Sequence, residues 1–167
     1  LGNGNNLQQK TPVEITALAG VTVTAITAGA YHSLAIDTGG NVYVWGRNNH
    51  GQLGDGFTTN RNTPHQLAAP SGVSAIAAGG YHTLALAGTT VHTWGNNIYG
   101  QLGDGTTTNR LTPYTLIGFT CTAVSAGFWH SVALKGDGSI WTWGRNNYGQ
   151  LGDGTTDDSN TPVEPAP

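Results

Sequence analysis

A twelve-residue phrase, Trp45 to Gly56, returns with small changes from Trp94 to Gly105 and again from Trp143 to Gly154. The three tryptophans that open it stand 49 residues apart. A fixed period of about 20–50 residues means that one supersecondary unit is laid down repeatedly, each copy burying its apolar face only against its neighbours. The phrase therefore constrains the fold tightly and the function loosely, because the residues that build a repeat scaffold are not the ones that act.

Each period reads in the same order. A short apolar stretch (Val21–Thr27, Val73–Ala77, Cys121–Ser125) leads through Ala-Gly into Tyr31–Ile36, Tyr81–Leu86 or Trp129–Leu134. Glycine-bearing turns follow, Asp37–Asn41, Ala87–Thr90 and Gly136–Ser139, whose Gly and Asp tolerate the positive φ of tight hairpins. The return strands Val42–Trp45, Val91–Trp94 and Ile140–Trp143 are β-branched and aromatic with a period of two. After a long glycine-punctuated loop, Thr63-Pro64, Thr112-Pro113 and Thr161-Pro162 open a fourth short strand, since proline suits the start of an edge strand. Four short strands in one period, without helical periodicity, describe a blade of an all-β propeller.

The ends do not balance. Leu1–Pro12 matches Leu53–Pro64, Leu102–Pro113 and Leu151–Pro162, so the loop-and-edge segment occurs four times and the hairpin only three. The period divides the chain into repeats at 1–52, 53–101 and 102–150, with a part-repeat at 151–167. That predicts three four-stranded antiparallel blades plus a part-blade within one repeat domain. Closed propellers use about 4–8 blades, so the open ends require cover from identical subunits or from the rest of a longer parent chain. The chain holds no Met, which is consistent with Leu1 lying inside or being processed from a longer chain.

Composition excludes several functions. Charged residues make up 9% of the chain and the net charge is −3, so no basic field is present to hold nucleic acid. No apolar run reaches the roughly 18–20 residues of a membrane-inserted helix. A lone Cys121 leaves neither a disulfide framework nor a cysteine-rich metal site. Low charge and a Thr/Asn/Gly-rich surface suit a secreted bacterial repeat protein, which makes an extracellular or cell-surface location the compositional expectation.

Ile26–Ile36, Ile76–Leu86 and Val124–Leu134, each carrying Ala-Gly-x-x-His or its close variant, resemble the signature of the regulator-of-chromosome-condensation repeat family. With the three Trp-Gly phrases the resemblance spans essentially the whole chain. It implies a propeller of about seven four-stranded blades, of which this chain is a little under half. Eukaryotic relatives exchange guanine nucleotide on a small GTPase through inserted loops, which are nearly absent here. Others sense ultraviolet light through clustered tryptophans locked by arginines; here Trp129 shares its slot with Tyr31 and Tyr81.

No catalytic set emerges. His32, His82 and His130 recur once per blade without carboxylates beside them, and read as buried histidines bonded to neighbouring backbone rather than as metal ligands. Asp55, Asp104 and Asp153 lack the alternating acids of a calcium loop and read as turn caps. No Gly-Lys-Ser/Thr follows the glycine phrase, so it cradles no phosphate. Ser33 and Ser131 each follow a histidine directly, and neighbours on a strand point to opposite faces, so neither pair can act as nucleophile and base.

The expectation is a non-enzymatic module for protein interaction or self-assembly, with no cofactor or metal. A regulator of nucleotide exchange and a carbohydrate-binding propeller are the alternatives. Its contact residues are expected where the fixed phrase varies: Arg47, Asn96 and Arg145 in one slot, His50, Tyr99 and Tyr148 in another, and Phe57 where the other copies carry Thr.

Overall fold

The computed structural model describes residues 1–166. Twelve strands form three four-stranded antiparallel sheets, each a simple meander in chain order. The first contains β1 (Val23–Ala28), β2 (His32–Asp37), β3 (Val42–Gly46) and β4 (Arg61–Gln66). The second contains β5 (Val73–Ala78), β6 (His82–Ala87), β7 (Thr90–Gly95) and β8 (Arg110–Thr120). The third contains β9 (Ala123–Ala126), β10 (His130–Leu134), β11 (Ile140–Gly144) and β12 (Ser159–Val163). The sequence period cuts each sheet between its third and fourth strands, because the phase of a periodic sequence is arbitrary while a blade begins at its inner strand.

The prolines sit inside the fourth strands rather than at their starts. Pro64 lies within β4, where the register shifts between Val44 and Gly46, so several β4 residues oppose little more than Trp45. A bulge on an outer strand is where a residue without an N–H is tolerated, and this allows the strand to begin three residues before the proline.

The sheets stack face to face like blades. Leu34, Ile36, Val42, Val44 and Leu67 of the first pack against Val73, Ala85 and Trp94 of the second, with Leu53 between them. Leu84, Leu86, Val91 and Leu116 repeat the arrangement against Cys121, Ala133 and Trp143 of the third. Each joint closes the same way: the Leu-Gly loop of one blade lies on the indole of the next. A Cβ on Gly54 would come within 2.7 Å of Trp94 Nε1, and one on Gly103 within 2.8 Å of Trp143 Nε1. Both glycines also adopt positive φ. Gly103→Ala is expected to lower stability at least twice as much as Gly88→Ala. Gly88 also has positive φ, but its added methyl would meet open space. The φ penalty alone is about 1 kcal/mol, and urea midpoints of the two variants measure the difference.

The surplus segment at the start forms no strand; it contains a single 3-10 turn, Thr16–Leu18. Its Leu1–Gly4 loop nonetheless lies on Trp45 as the later loops lie on their tryptophans, with a Cβ on Gly2 reaching within 2.8 Å of the indole nitrogen. Gly4 N–H donates to Asn62 O at 2.9 Å.

Candidate functional site

At one end of every blade the turn into the second strand meets the loop leaving the third. Backbone bonds fix the meeting: the N–H groups of Arg47, Asn96 and Arg145 donate to the carbonyls of Tyr31, Tyr81 and Trp129 at 2.8–2.9 Å. The inner turns nest closely, and a Cβ on Gly79 would come 2.7 Å from Gly127 O, so the aromatic residues beside these glycines approach one another. Tyr31 and Tyr81 have ring centroids 5.5 Å apart, and Tyr81 stacks on Trp129 at 5.2 Å. Phe128 meets Trp129 edge-on at 4.9 Å. The result is an aromatic ladder running across all three blades, open to solvent at Tyr31 and Phe128.

Four of the seven residues singled out from the sequence border this ladder. His50 packs edge-on against Tyr81 and Tyr99 against Trp129, each reaching the next blade. The Arg47 guanidinium lies 5.4 Å from the Tyr31 ring and 5.8 Å from that of Tyr81, and the Arg145 guanidinium lies 4.8 Å from Tyr99. Exposed cation–π contacts of this kind are worth about 0.5–1 kcal/mol.

The other three lie elsewhere. Asn96 is only 1% exposed, and its Oδ1 accepts from Gln101 Nε2 at 2.8 Å. It is a buried bond inside its loop, not a surface contact, because its short side chain turns inward where arginine cannot. The same exchange leaves Gln52 Nε2 in the first blade without a partner. Phe57 is exposed on the Leu-Gly-Asp-Gly turn, apart from these ring contacts. Tyr148 is 88% exposed, whereas its counterparts His50 and Tyr99 lean on the following blade. The sequence reading missed Tyr31, Tyr81 and Phe128 as surface residues. The signal was their aromatic character at an unpaired turn position beside a recurring histidine.

The recurring loop phrase is an internal brace. The buried Asn97 carboxamide donates to Asp104 Oδ1 at 3.0 Å and accepts from Leu102 N–H at 2.9 Å. Asn48 and Asn146 do the same in their blades. Asp55, Asp104 and Asp153 each accept a backbone N–H two residues on, as turn caps do. Arg110 Nε reaches Asp104 at 2.7 Å, and Arg61 pairs likewise with Asp55. Burial, the largest single effect, raises the Asp55 and Asp104 carboxyls, but these bonds together outweigh it and hold both below their ordinary range.

His32 and His82 bond a hydroxyl of the next blade in addition to lying against the backbone there, as the sequence suggested. His32 Nε2 lies 3.0 Å from Thr83 Oγ1, and His82 Nε2 lies 3.0 Å from Ser131 Oγ. Thr83 donates to Gln52 O at 2.9 Å and Ser131 to Gln101 O at 2.7 Å, so each hydroxyl accepts from the imidazole N–H. This polarity is the reverse of a catalytic pair, in which the hydroxyl gives its proton to the imidazole. The atoms are also buried. Burial pushes His32 down to about 4 and His82 down to about 3, the latter helped by the charges of His32 and His130. Among the described residues no group of His, Cys, Asp or Glu is placed to hold a metal ion, and no helix is long and apolar enough to cross a membrane.

Comparison with known proteins agrees with this architecture. The profile described as the regulator of chromosome condensation (RCC1) repeat matches residues 1–36, 39–86, 90–134 and 137–166. The chain is 41% identical over 88 residues to the ultraviolet-B receptor UVR8 of Arabidopsis thaliana, covering 52% of this chain and 20% of that protein. It is 40% identical over 87 residues to the human E3 ubiquitin-protein ligase HERC2, covering 51% of this chain and 2% of that protein. The crystal structure of human WBSCR16 superposes with a TM-score of 0.81 at 27% identity, covering 90% of this chain and 41% of that one. Prp20p of Saccharomyces cerevisiae superposes with a TM-score of 0.79 at 25% identity, covering 87% and 38%. The chain thus spans well under half the length of these relatives. With the repeat profile matched along nearly all of its length and three propeller-type blades built from those repeats, the chain belongs to the regulator of chromosome condensation (RCC1) repeat family.

Proposed function

We propose that this chain is a protein-binding propeller segment that recognises its partner through the aromatic ladder at the inner-turn end of the blades. The observation that carries the reading is the composition of that face. Tyr31, Tyr81 and Trp129 form a continuous stack, flanked by Arg47 over Tyr31 and Tyr81 and by Arg145 over Tyr99, which itself meets Trp129 edge-on. Large, rigid aromatic side chains with arginine are the residue types that dominate binding energy at protein interfaces. The ladder rests on nested backbone turns, so little side-chain freedom remains to be lost on binding. The structure of yeast Prp20p was determined together with that protein's binding to Gsp1p and histones, which supports the class of partner without naming this one.

The two arginines favour a partner segment that carries acidic and aromatic side chains. Selection from a displayed random-peptide library tests this. Enriched peptides are expected to be acidic and aromatic, and to lose at least tenfold in affinity against Trp129→Ala and against the Arg47→Glu, Arg145→Glu double variant. Peptides that bind both variants as tightly as the parent chain would place recognition elsewhere.

A further inference from the structure

One slot of the repeated loop is filled differently in the first two blades, although the backbone around it is the same. Arg47 N–H donates to Tyr31 O at 2.8 Å, and Asn96 N–H to Tyr81 O at 2.9 Å. His50 N–H donates to Gln52 Oε1, and Tyr99 N–H to Gln101 Oε1, both at 2.9 Å. Within that shared frame Asn96 Oδ1 accepts twice, from Gln101 Nε2 at 2.8 Å and from the Ile98 N–H at 3.2 Å.

Arginine carries five N–H donors and no acceptor, so residue 47 offers the first blade nothing in place of that oxygen. Gln52 is fully buried, and its Nε2 has no partner. By repeat equivalence two donors face the position of Asn96 Oδ1, the Gln52 amide and the Asn49 N–H, and a guanidinium rises from the same slot. Buried polar groups are paired as a rule, so an enclosed donor of this kind calls for an acceptor.

The second blade walls the slot. A Cβ on Gly95 would lie 3.1 Å from Gln52 Cα, and His50 packs edge-on against Tyr81 at 5.3 Å. The outer side reaches the surface, with Asn49 exposed and Arg47 half-buried. Among the described residues the ion pairs are Arg61 with Asp55 and Arg110 with Asp104, so no carboxylate claims Arg47. Only the rings of Tyr31 and Tyr81 hold its guanidinium, at 5.4 and 5.8 Å.

We propose that this slot is the subsite for a carboxylate of the partner, an Asp or Glu side chain. One oxygen takes the place that Asn96 Oδ1 holds in the second blade, and the other is bound by Arg47. Bonds from a guanidinium to a carboxylate are charge-assisted and about twice as strong as neutral ones. The subsite rests on the reading of the aromatic ladder as the recognition face, and it names the group which that face selects. Arg145 and Gln150 repeat the pair in the third blade, but there Gln150 is only half-buried. The second blade has no such subsite, because Asn96 already supplies the oxygen from within.

Nuclear magnetic resonance titration of the full, isotope-labelled chain tests this, with phenylacetate as an aromatic carboxylate and phenylacetamide as its neutral counterpart. Phenylacetate is expected to shift the Gln52 side-chain amide and the Asn49 N–H, and phenylacetamide to bind there at least tenfold more weakly. Arg47→Asn copies the second blade. It is expected to weaken phenylacetate at least tenfold at those signals and yet to raise the urea midpoint, because Gln52 Nε2 regains an acceptor. A purely structural Arg47 would lower the midpoint instead. Asn96→Arg, checked for native circular dichroism, is expected to make the Gln101 side-chain amide respond to phenylacetate as well. Silent Gln52 and Asn49 signals in the parent chain, an equal response to phenylacetamide, an Arg47→Asn chain that binds as the parent does, or a silent Gln101 in Asn96→Arg would each overturn the subsite. Shifts at Tyr81 and Trp129 from both compounds separate its failure from that of the ladder. With them the ladder stands alone; without them both readings fall.

Discussion

Trp94→Ala is expected to cost about 3–5 kcal/mol, the range for removing a fully buried large aromatic side chain. Two things are lost together. The indole fills the joint between Leu34, Val44 and Leu53 on one side and its own sheet on the other. Its Nε1–H also donates to Gln52 O at 3.0 Å, the same carbonyl that Thr83 uses. A domain of ordinary stability has about 5–15 kcal/mol in total, so this single change consumes a large share of it. Trp45→Ala is expected to cost less, since Trp45 faces a groove and the loosely held Leu1–Gly4 loop instead of a packed sheet. Urea unfolding of the two variants measures both. Equal losses would mean that the groove is as well packed as the internal joint, contrary to the geometry described.

Acid is expected to destabilise the fold well before the carboxylates titrate. In the unfolded chain an imidazole protonates near its ordinary 6.5, whereas His32 holds out to about 4 and His82 to about 3 when folded. Between those values the unfolded chain binds more protons, so stability falls as pH drops. The contribution is complete above pH 6.5, declines from there to about pH 4 and then about 3, and is larger for His82, whose displacement is the greater. The physical cause is visible at each ring. Nε2–H is already committed to a hydroxyl, and burial opposes a second proton more than the neighbouring backbone favours it. Asp55 and Asp104, held below their ordinary range, lose their contribution only as pH falls through that lower range, and in the same direction. Urea midpoints at several values between pH 7.5 and 4.5 are expected to fall throughout. A flat profile above pH 5 would show that the histidines are not buried as described.

The blades were legible in the sequence because their determinants are local. Alternation in Val42–Trp45 specifies a half-buried strand, a glycine turn specifies the hairpin before it, and the period specifies how many. The Asp turn caps were legible for the same reason, since their partners lie two residues away. The proline bulge was not, because its position depends on pairing with β3. Asn96 was misjudged as a surface residue because a slot that varies in sequence looks the same whether its side chain points out, as in Arg47, or in toward Gln101.

By itself the sequence determined the kind of strand, their number, the hairpins and the mismatch of four loops against three hairpins, all set by interactions within a single repeat. Tertiary structure alone decided what passes between repeats. It brought Tyr31, Tyr81 and Trp129 into one stack and gave His32 and His82 each a hydroxyl some 50 residues away. The reason is physical: a side chain's neighbour across a blade joint is fixed by how two sheets pack, and neither sheet encodes that contact alone.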